Sequence, residues 1–144
     1  MRIAIGSDHA GFSLKEFLKE SLAKMGHEVL DHGPHSDESV DYPDFAKAVA
    51  YDVNSKKVER GVLICGSGAG MCMAANRFPE VRAAVLSDEY DAQMCRRHND
   101  ANVACFGARK IEAARAQELI DIFLKTPFDG GRHEARVKKL SEIC

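Results

Sequence analysis

Five short apolar runs recur along the chain, and each is separated from the next by a longer stretch with helical spacing. The runs lie at residues 3–5, 29–30, 62–64, 83–86 and 103–106. Short apolar runs favour buried strands, and strands that alternate with helices are typical of a parallel sheet with helices on both faces. With 144 residues the chain has the length of one domain. The pattern therefore predicts a single α/β domain over residues 1–144, with a five-stranded parallel sheet between helical layers.

The first helix carries the clearest local signals. Ser13 and Glu16 have the spacing of a capping box, and Phe12 and Phe17 stand at the positions of a hydrophobic staple. Gly26 is expected to end the helix in a left-handed conformation. The predicted buried stripe is Leu14, Phe17, Leu18, Leu22 and Met25. Further helices are predicted near residues 43–54, 70–77, 88–97, 111–125 and 132–142, and residues 31–41 are predicted to form a polar, mobile loop.

A glycine-rich segment follows the third apolar run. In order, it reads Cys65, Gly66, Ser67, Gly68, Ala69 and Gly70. Glycines let successive backbone N–H groups turn toward one point, and a helix that starts there adds its positive end. We expect an anion to bind these amides, either a phosphate or a developing oxyanion, beside a reactive Cys65. The alternative is that Cys65 is a small apolar residue buried at a strand end.

Other motifs with glycine-rich turns fit the segment poorly. The Lys and Ser/Thr that end a P-loop are absent, and Ser67 lacks the G-x-S-x-G frame of a nucleophile elbow. The glycines also miss the G-x-G-x-x-G spacing, and they follow a middle strand rather than the first. Nucleotide binding is therefore the weaker alternative.

Candidate ligand-binding residues follow other strands as well. Asp8 and His9 come after the first apolar run and Arg109 after the fifth, so they should meet Cys65 at the carboxyl edge of the sheet. Asp8 and His9 can instead serve as a helix cap and a hydrogen-bonded loop histidine. Arg132 and Arg136 are four residues apart, so on a helix they project from one face and can clamp a phosphate, or simply form a solvated basic face.

Composition limits the class of partner. The 20 Lys and Arg residues nearly balance the 22 Asp and Glu residues, which argues against nucleic acid and against a membrane surface, and favours a small molecule. The five cysteines are odd in number and form no C-x-x-C pair, which argues against a disulfide framework and a structural zinc site. The chain shows neither a signal-peptide pattern nor a long apolar segment. We expect a cytoplasmic protein that requires no metal.

Seven short motifs together resemble the type B ribose-5-phosphate isomerases. They lie at residues 6–12, 41–43, 65–70, 74–77, 98–102, 106–109 and 131–133, in family order across nearly the whole chain. The resemblance implies a three-layer α/β/α Rossmann-like fold and an active site at the interface of a homodimer, with pairing into a homotetramer left open. It also implies aldose–ketose isomerisation of ribose 5-phosphate and ribulose 5-phosphate through a cis-enediol(ate), without a cofactor.

The resemblance also assigns catalytic roles. Cys65 matches the base that moves a proton between C1 and C2 of the open-chain sugar, and Met71 stands where another branch of the family carries a glutamate. Ser67 matches a hydroxyl that helps to protonate or orient the intermediate. His98 matches the histidine that opens the sugar ring, although a histidine at a helix C-terminus can also be a favourable dipole cap. The anion hole corresponds to Gly66, Gly68, Ala69 and Gly70.

Binding roles follow from the same match. The residues that match groups holding sugar oxygens are Asp8, Tyr42 and Asn99. The residues that match the phosphate site are His9, Arg109, Arg132 and Arg136. Among all these positions, the resemblance implies that Arg109 and His98 are contributed across the dimer interface.

Two alternatives stay open. An isomerase for a six-carbon sugar phosphate, such as galactose or allose 6-phosphate, shares the scaffold. A phosphosugar-binding module without catalysis shares the phosphate site but not the proton transfer. The reaction would serve the pentose phosphate pathway or a dedicated catabolic route.

Overall fold

The sheet has five strands, and all of its strand pairs are parallel. A computed structural model describes residues 1–143, so Cys144 lies outside the described residues. The strands are β1 (Arg2–Ser7), β2 (Glu28–Asp31), β3 (Arg60–Cys65), β4 (Ala83–Val85) and β5 (Val103–Gly107). Their order across the sheet is β2-β1-β3-β5-β4. The predicted five-stranded parallel sheet is confirmed.

Helices follow the strands where the sequence predicts them. They are α1 (Phe12–Lys24), α2 (Tyr42–Asn54), α3 (Ala69–Ala75), α4 (Glu89–Asn99), α5 (Ala113–Lys125) and α6 (Arg132–Glu142). Helix α3 ends two residues earlier than predicted because Asn76 bonds to the start of β4. The backbone N–H of Ala83 donates to Oδ1 of Asn76 at 2.7 Å, and Nδ2 of Asn76 donates to the carbonyl of Ala83 at 3.0 Å.

The start of α1 corrects the capping prediction. The helix begins at Phe12 with Gly11 at the N-cap, and no side chain caps it, so Ser13 lies inside the first turn. The carboxylate of Glu16 accepts a hydrogen bond from Nζ of Lys15 instead of reaching back to Ser13. Phe17, predicted to be buried, is 38% exposed. The capping box and the staple are therefore wrong.

The end of α1 confirms the prediction for Gly26, which has a φ of +91°. Its N–H donates to the carbonyl of Ala23 at 3.0 Å, and the N–H of His27 donates to the carbonyl of Leu22 at 3.1 Å. These two bonds form a Schellman motif, which requires the left-handed residue.

Side chains of β3 alternate between two cores, one on each face of the sheet. Val62 and Ile64 pack with residues of α1, α4 and α5, whereas Leu63 and Cys65 pack with residues of α2 and α3. The fold is therefore the predicted three-layer α/β/α arrangement. Because β1 and β3 are neighbours whose connections leave toward opposite edges of the sheet, a crevice forms beyond their carboxyl ends.

Candidate active site

The ends of β1, β3 and β5 are joined by backbone hydrogen bonds. The N–H of Asp8 donates to the carbonyl of Ile64 at 3.1 Å, and the N–H of Ala108 donates to the carbonyl of Cys65 at 2.8 Å. The N–H of Arg109 donates to the carbonyl of Gly66 at 3.1 Å. The side chains that follow these strands are therefore held at one edge of the sheet, as the sequence predicts.

Cys65 lies at the centre of this edge, with 5% of its surface exposed. Its Sγ accepts the backbone N–H of Gly68 at 3.2 Å. Gly68 has a φ of +83°, a left-handed conformation that favours glycine, and a Cβ there would lie 3.1 Å from the backbone of Phe106. Both constraints point to glycine at this position, and the glycine aims its amide at the sulfur.

The hydroxyl of Ser67 belongs to the same turn. Its Oγ accepts the N–H of Ala69 at 3.2 Å, at the start of α3. A Cβ on Gly107 would lie 2.7 Å from the carbonyl group of Ser67, so the absence of a side chain at the end of β5 lets the two backbones approach. The turn from Cys65 to α3 is thus packed directly on β5.

Tyr42 and Arg109 lie against glycines of this segment. A Cβ on Gly70 would lie 2.8 Å from the ring of Tyr42, and a Cβ on Gly66 would lie 2.9 Å from Nη1 of Arg109. Arg109 therefore lies beside the cysteine of its own chain. The turn after β5 is hydrogen-bonded to the turn after β3, so Arg109 stands at the same edge of the sheet as Cys65 within one chain; its contribution across a dimer interface stays a prediction.

Asp8 and His9 each accept a backbone hydrogen bond: Asp8 closes the turn before α1 and does not cap the helix, whereas His9 makes the contact expected of a hydrogen-bonded loop histidine. Oδ1 of Asp8 accepts the N–H of Gly11 at 3.0 Å, and Nδ1 of His9 accepts the N–H of Val40 at 3.2 Å. These bonds orient both side chains at the end of β1. With Nδ1 accepting, the neutral ring of His9 carries its proton on Nε2.

A second group of predicted residues lies at the opposite edge of the sheet. Helix α4 starts after the carboxyl end of β4 and runs back to the amino end of β5, so His98 and Asn99 stand far from Cys65. A strand of five or six residues spans about 17–20 Å. Within one chain, His98 and Asn99 are therefore not brought to the crevice.

His98 packs on helix α6. Its ring stacks on His133 with a centroid distance of 4.5 Å and an angle of 13° between the planes. Partial desolvation lowers the pKa of His133, and the charges of His98, Arg132 and Arg136 lower it further. The second group thus contains His98, Asn99, Arg132 and Arg136, and we call it the α4–α6 group.

Asp129 joins this group without having been singled out in the sequence. Its carboxylate, His98 and His133 offer ligand atoms within 4.8 Å of one another, a spacing compatible with a metal ion. However, the carboxylate accepts two hydrogen bonds from Nε of Arg97, both at 3.2 Å. Since the guanidinium groups of Arg132 and Arg136 are also near His133, the local charge favours an anion over a cation.

An apolar cleft of about 380 Å³ adjoins the α4–α6 group. Asn99, Phe78 and Leu140 are among its lining residues. Within residues 132–142 no side chain is buried, and Leu140 is 42% exposed. Within the described residues 1–143, the face of α6 that carries Leu140 is left unpartnered.

Comparisons with known proteins agree with this geometry. The family model described as Ribose/Galactose Isomerase matches residues 3–140. The chain belongs to this family. Ribose-5-phosphate isomerase B of Escherichia coli (strain K12) is 44% identical over 142 residues, which cover 99% of this isomerase and 95% of that protein.

Solved structures are similar over nearly the full length of the isomerase. Ribose-5-phosphate isomerase B of Clostridium thermocellum is 49% identical with a TM-score of 0.97, over 99% of this chain and 97% of that chain. The enzyme of Mycoplasma genitalium, described with bound ribulose-5-phosphate, is 41% identical with a TM-score of 0.94, over 99% and 95% of the two chains. None of the helices formed by residues 1–143 is long and apolar enough to span a membrane.

Proposed function

We propose that this isomerase interconverts ribose 5-phosphate and ribulose 5-phosphate, with Cys65 as the base. The observation that carries the proposal is the position of Sγ of Cys65, at the end of β3 and 3.2 Å from the backbone N of Gly68. The similar proteins of Escherichia coli and Clostridium thermocellum are both named ribose-5-phosphate isomerase B. The structure of the Mycoplasma genitalium enzyme was determined with bound ribulose-5-phosphate, the ketose of this pair.

The proposed reaction moves one proton between neighbouring carbons. The thiolate of Cys65 removes the proton from C2 of the open-chain aldose, and the electron pair passes through a C1–C2 double bond to the aldehyde oxygen. In the resulting cis-enediolate the proton of the C2 hydroxyl passes to the C1 oxygen, so the negative charge moves to the C2 oxygen. The same thiol then protonates C1, and the C2 oxygen forms the ketone. Base and acid are one group, so no cofactor is needed.

The glycine segment supplies the oxyanion hole of the proposed mechanism. Backbone N–H groups of Gly66 and Gly70 would stabilise the negative oxygen of the enediolate, and Ser67 would donate from its hydroxyl. The N–H groups of Gly68 and Ala69 bond to Sγ of Cys65 and Oγ of Ser67, and would hold these two groups in place. Amides fixed in a packed turn need no reorganisation when the charge develops, which is the main source of such stabilisation. The packing of Gly107 against Ser67 supports this rigidity.

We further propose that the active site is completed by a second copy of the chain. His98 lies at the opposite edge of the sheet from Cys65, so it would open the sugar ring only in a site that combines two subunits. The unpartnered face of α6, with Leu140 42% exposed, supports a homodimer that buries this face. Two-fold symmetry would then create two identical composite sites.

The phosphate would bind between residues of both subunits. His9 and Arg109 stand at the strand ends beside Cys65, and Arg132 and Arg136 would approach from the α4–α6 group of the partner. Asp8, Tyr42 and Asn99 would hold the sugar oxygens. Binding the phosphate far from C1 and C2 gives the enzyme affinity that it can use to orient the reacting carbons.

Turnover with a panel of sugar phosphates tests the substrate. We expect conversion of ribose 5-phosphate and slower conversion of galactose and allose 6-phosphates, since the family description covers both ribose and galactose isomerases. A six-carbon substrate that reacts faster than ribose 5-phosphate would reassign the specificity. Loss of deuterium from C2-labelled substrate tests catalysis itself, because a phosphosugar-binding module releases none.

We place the enzyme in the cytoplasm. Cys65, Cys72, Cys95 and Cys105 are free thiols, as a reducing compartment would keep them. The partner proposed here is the phosphosugar, and the reaction would connect an aldose to a ketose in the pentose phosphate pathway or in a dedicated catabolic route.

A further inference from the structure

Lys15 is fully buried, although lysine is among the residues least often found in a protein core. Its exposed fraction is 0%, and it lies in α1 beside Leu14 and Leu18, which face the sheet. An ammonium group at this depth has to be paired and hydrogen-bonded, because water no longer solvates it. The hydrogen-bond partners of Lys15 therefore indicate the role of its charge.

The main partner of Lys15 is Asp31, the last residue of β2. Nζ of Lys15 donates to Oδ2 of Asp31 at 2.8 Å and to Oδ1 at 2.9 Å, and to Oε1 of Glu16 at 2.7 Å. The ring of Phe12 lies 5.4 Å from Nζ. Burial raises the pKa of Asp31, but hydrogen bonds from Lys15, Lys19 and Gly33 outweigh it and lower the pKa to about 2. Asp31 is thus an anion throughout the neutral range.

Asp31 connects Lys15 to the candidate active site. Its Oδ1 accepts the N–H of Gly33 at 2.8 Å, and the carbonyl of Gly33 accepts the N–H of Ser7 at 3.0 Å. Ser7 is followed directly by Asp8, whose own N–H is bonded to β3. Two hydrogen bonds therefore separate the buried ammonium pair from the backbone that leads into the crevice.

We propose that Lys15 is a positioning residue for the isomerase reaction: it orients Asp31, and through Gly33 it holds the backbone of Ser7 and Asp8 at the end of β1. The inference rests on the proposed function, because Asp8 is assigned there to the sugar oxygens. It extends that assignment to a residue whose side chain is fully buried and whose ammonium group bonds to Asp31 and Glu16.

Stability alone does not account for the ion pair. Replacing both members of a buried ion pair with apolar residues of similar volume is often neutral or stabilising, so the core does not need a charged pair at Lys15 and Asp31. An apolar side chain at residue 15 alone would leave the Asp31 carboxylate without the group that fixes its rotation. The bidentate contact with Nζ does so, and it leaves Oδ1 directed at Gly33.

Lys15→Met tests the role, with Lys19→Met as the matched control. Lys19 contacts the same carboxylate at 2.9 Å, but its side chain is 32% exposed, so its contribution should be small. For Lys15→Met we expect a folded protein whose kcat/KM for ribose 5-phosphate falls at least about tenfold, mainly in kcat, because misplacement of a binding group slows the reaction. Lys19→Met should stay within about twofold of the unmodified enzyme.

The pH profile separates positioning from loss of stability. Without Lys15 the pKa of Asp31 rises, since the main group that lowers it is gone. Protonation removes the charge that strengthens the bond to Gly33, so the activity of Lys15→Met should begin to fall at a higher pH than that of the unmodified enzyme. A defect of folding alone would lower the melting temperature without moving the acid limb of activity.

Backbone amide resonances of Ser7 and Asp8 give a readout that needs no turnover. Lys15→Met should shift them and Lys19→Met should not. Turnover by the unmodified protein tests the proposed function first; if it fails, these resonances alone decide the positioning role. If Lys15→Met does not fold, Asp31→Asn replaces it in the measurements of kcat/KM and of the amide resonances, but not in the pH profile, because asparagine has no carboxyl group to protonate. Unshifted amides, or a kcat/KM within about twofold of the unmodified enzyme, would overturn the proposal.

Discussion

Gly68 donates its backbone N–H to Sγ of Cys65 at a distance of 3.2 Å. The contact depends on a φ of +83° at Gly68, which glycine adopts without strain. It joins the last residue of β3 to the residue that precedes α3 and directs a fixed dipole at the sulfur. A sulfur that accepts an amide N–H is placed to carry negative charge, as a catalytic base must.

Replacing Cys65 tests this conclusion directly. Cys65→Ala should lower kcat for ribose 5-phosphate by at least about a hundredfold, the usual contribution of a general base. Binding of the phosphosugar should be nearly unchanged, because the base acts in the transition state. Calorimetric titration and steady-state kinetics measure the two effects.

Cys72→Ala is the control for this experiment. Cys72 lies on α3 and its Sγ donates to the carbonyl of Ala83 at 3.3 Å, so its loss should leave turnover within about twofold. A Cys65→Ala enzyme with more than about a tenth of the original kcat would exclude Cys65 as the base.

Thiol labelling as a function of pH gives a second prediction. Hydrogen bonding with Cys105 lowers the pKa of Cys72 to about 7 against the effect of burial, whereas burial raises the pKa of Cys95 to about 11. The thiolate is the form present above the pKa. Alkylation of Cys72 by iodoacetamide should therefore reach half its limiting rate near pH 7, and Cys95 should react at least about a hundredfold more slowly there.

Substrate protection distinguishes the thiols further. Ribose 5-phosphate should protect Cys65 from alkylation and leave Cys72 unprotected, as peptide mass mapping can show. Equal alkylation rates for Cys72 and Cys95 at neutral pH would contradict the predicted order of their pKa values. Protection of Cys72 instead of Cys65 would place the active site at Cys72.

The sequence predicts the sheet because each strand and helix is indicated by residues that are close together in the chain. Apolar runs separated by helical spacing identify every strand, and the pattern of strand followed by helix requires parallel neighbours. The same locality explains the error at α1. Ser13 and Glu16 have the spacing of a capping box, but the N–H of Lys15 bonds to the carbonyl of Gly11 at 2.8 Å and starts the helix earlier. The earlier start of the helix is visible only in the folded turn, where Oδ1 of Asp8 accepts the N–H of Gly11.

The candidate site is predicted less completely, because it depends on contacts distant in sequence. Lys15 stands within the apolar stripe of α1, and this position is the signal that indicates a buried charge. Its partner Asp31 falls in a segment predicted to be mobile, although the first residues of that segment are hydrogen-bonded to β1. The opposite placement of His98 follows from the topology of α4, since consecutive helices and strands run in opposite directions.

The two arginines of α6 provide a third prediction. If Arg132 and Arg136 hold the phosphate, Arg132→Ala or Arg136→Ala should raise KM for ribose 5-phosphate by about tenfold or more, because a charge-assisted hydrogen bond contributes about 1.5–3 kcal/mol. The matched control is Arg115→Ala, which replaces a half-buried arginine of α5 that bonds to Glu118 at 3.0 Å.

Initial rates with ribose 5-phosphate and with unphosphorylated ribose separate the interpretations. The control should leave both substrates unaffected, and the α6 variants should affect only the phosphorylated one. Equal losses on both substrates would place Arg132 and Arg136 outside the phosphate site.

The last prediction concerns the second subunit. His98 and Cys65 lie at opposite edges of the sheet within one chain, so the proposed composite site would pair Cys65 of one subunit with His98 of its partner. Cys65→Ala and His98→Asn should each be inactive as homodimers. In a mixed dimer with composite sites, one site receives both substitutions and the other receives neither, so mixing the two variants should restore activity.

The two-fold symmetry of the proposed dimer determines how much activity the mixture of variants should recover. Random exchange makes about half of the dimers mixed, and one of their two sites is intact, so roughly a quarter of all sites should regain the original activity. Self-contained sites would each keep one substitution and gain nothing from mixing. The blend is dissociated, refolded and checked for exchange with a mass tag before the assay. Verified mixed dimers with no activity above either parent would show that His98 does not complete the partner's site.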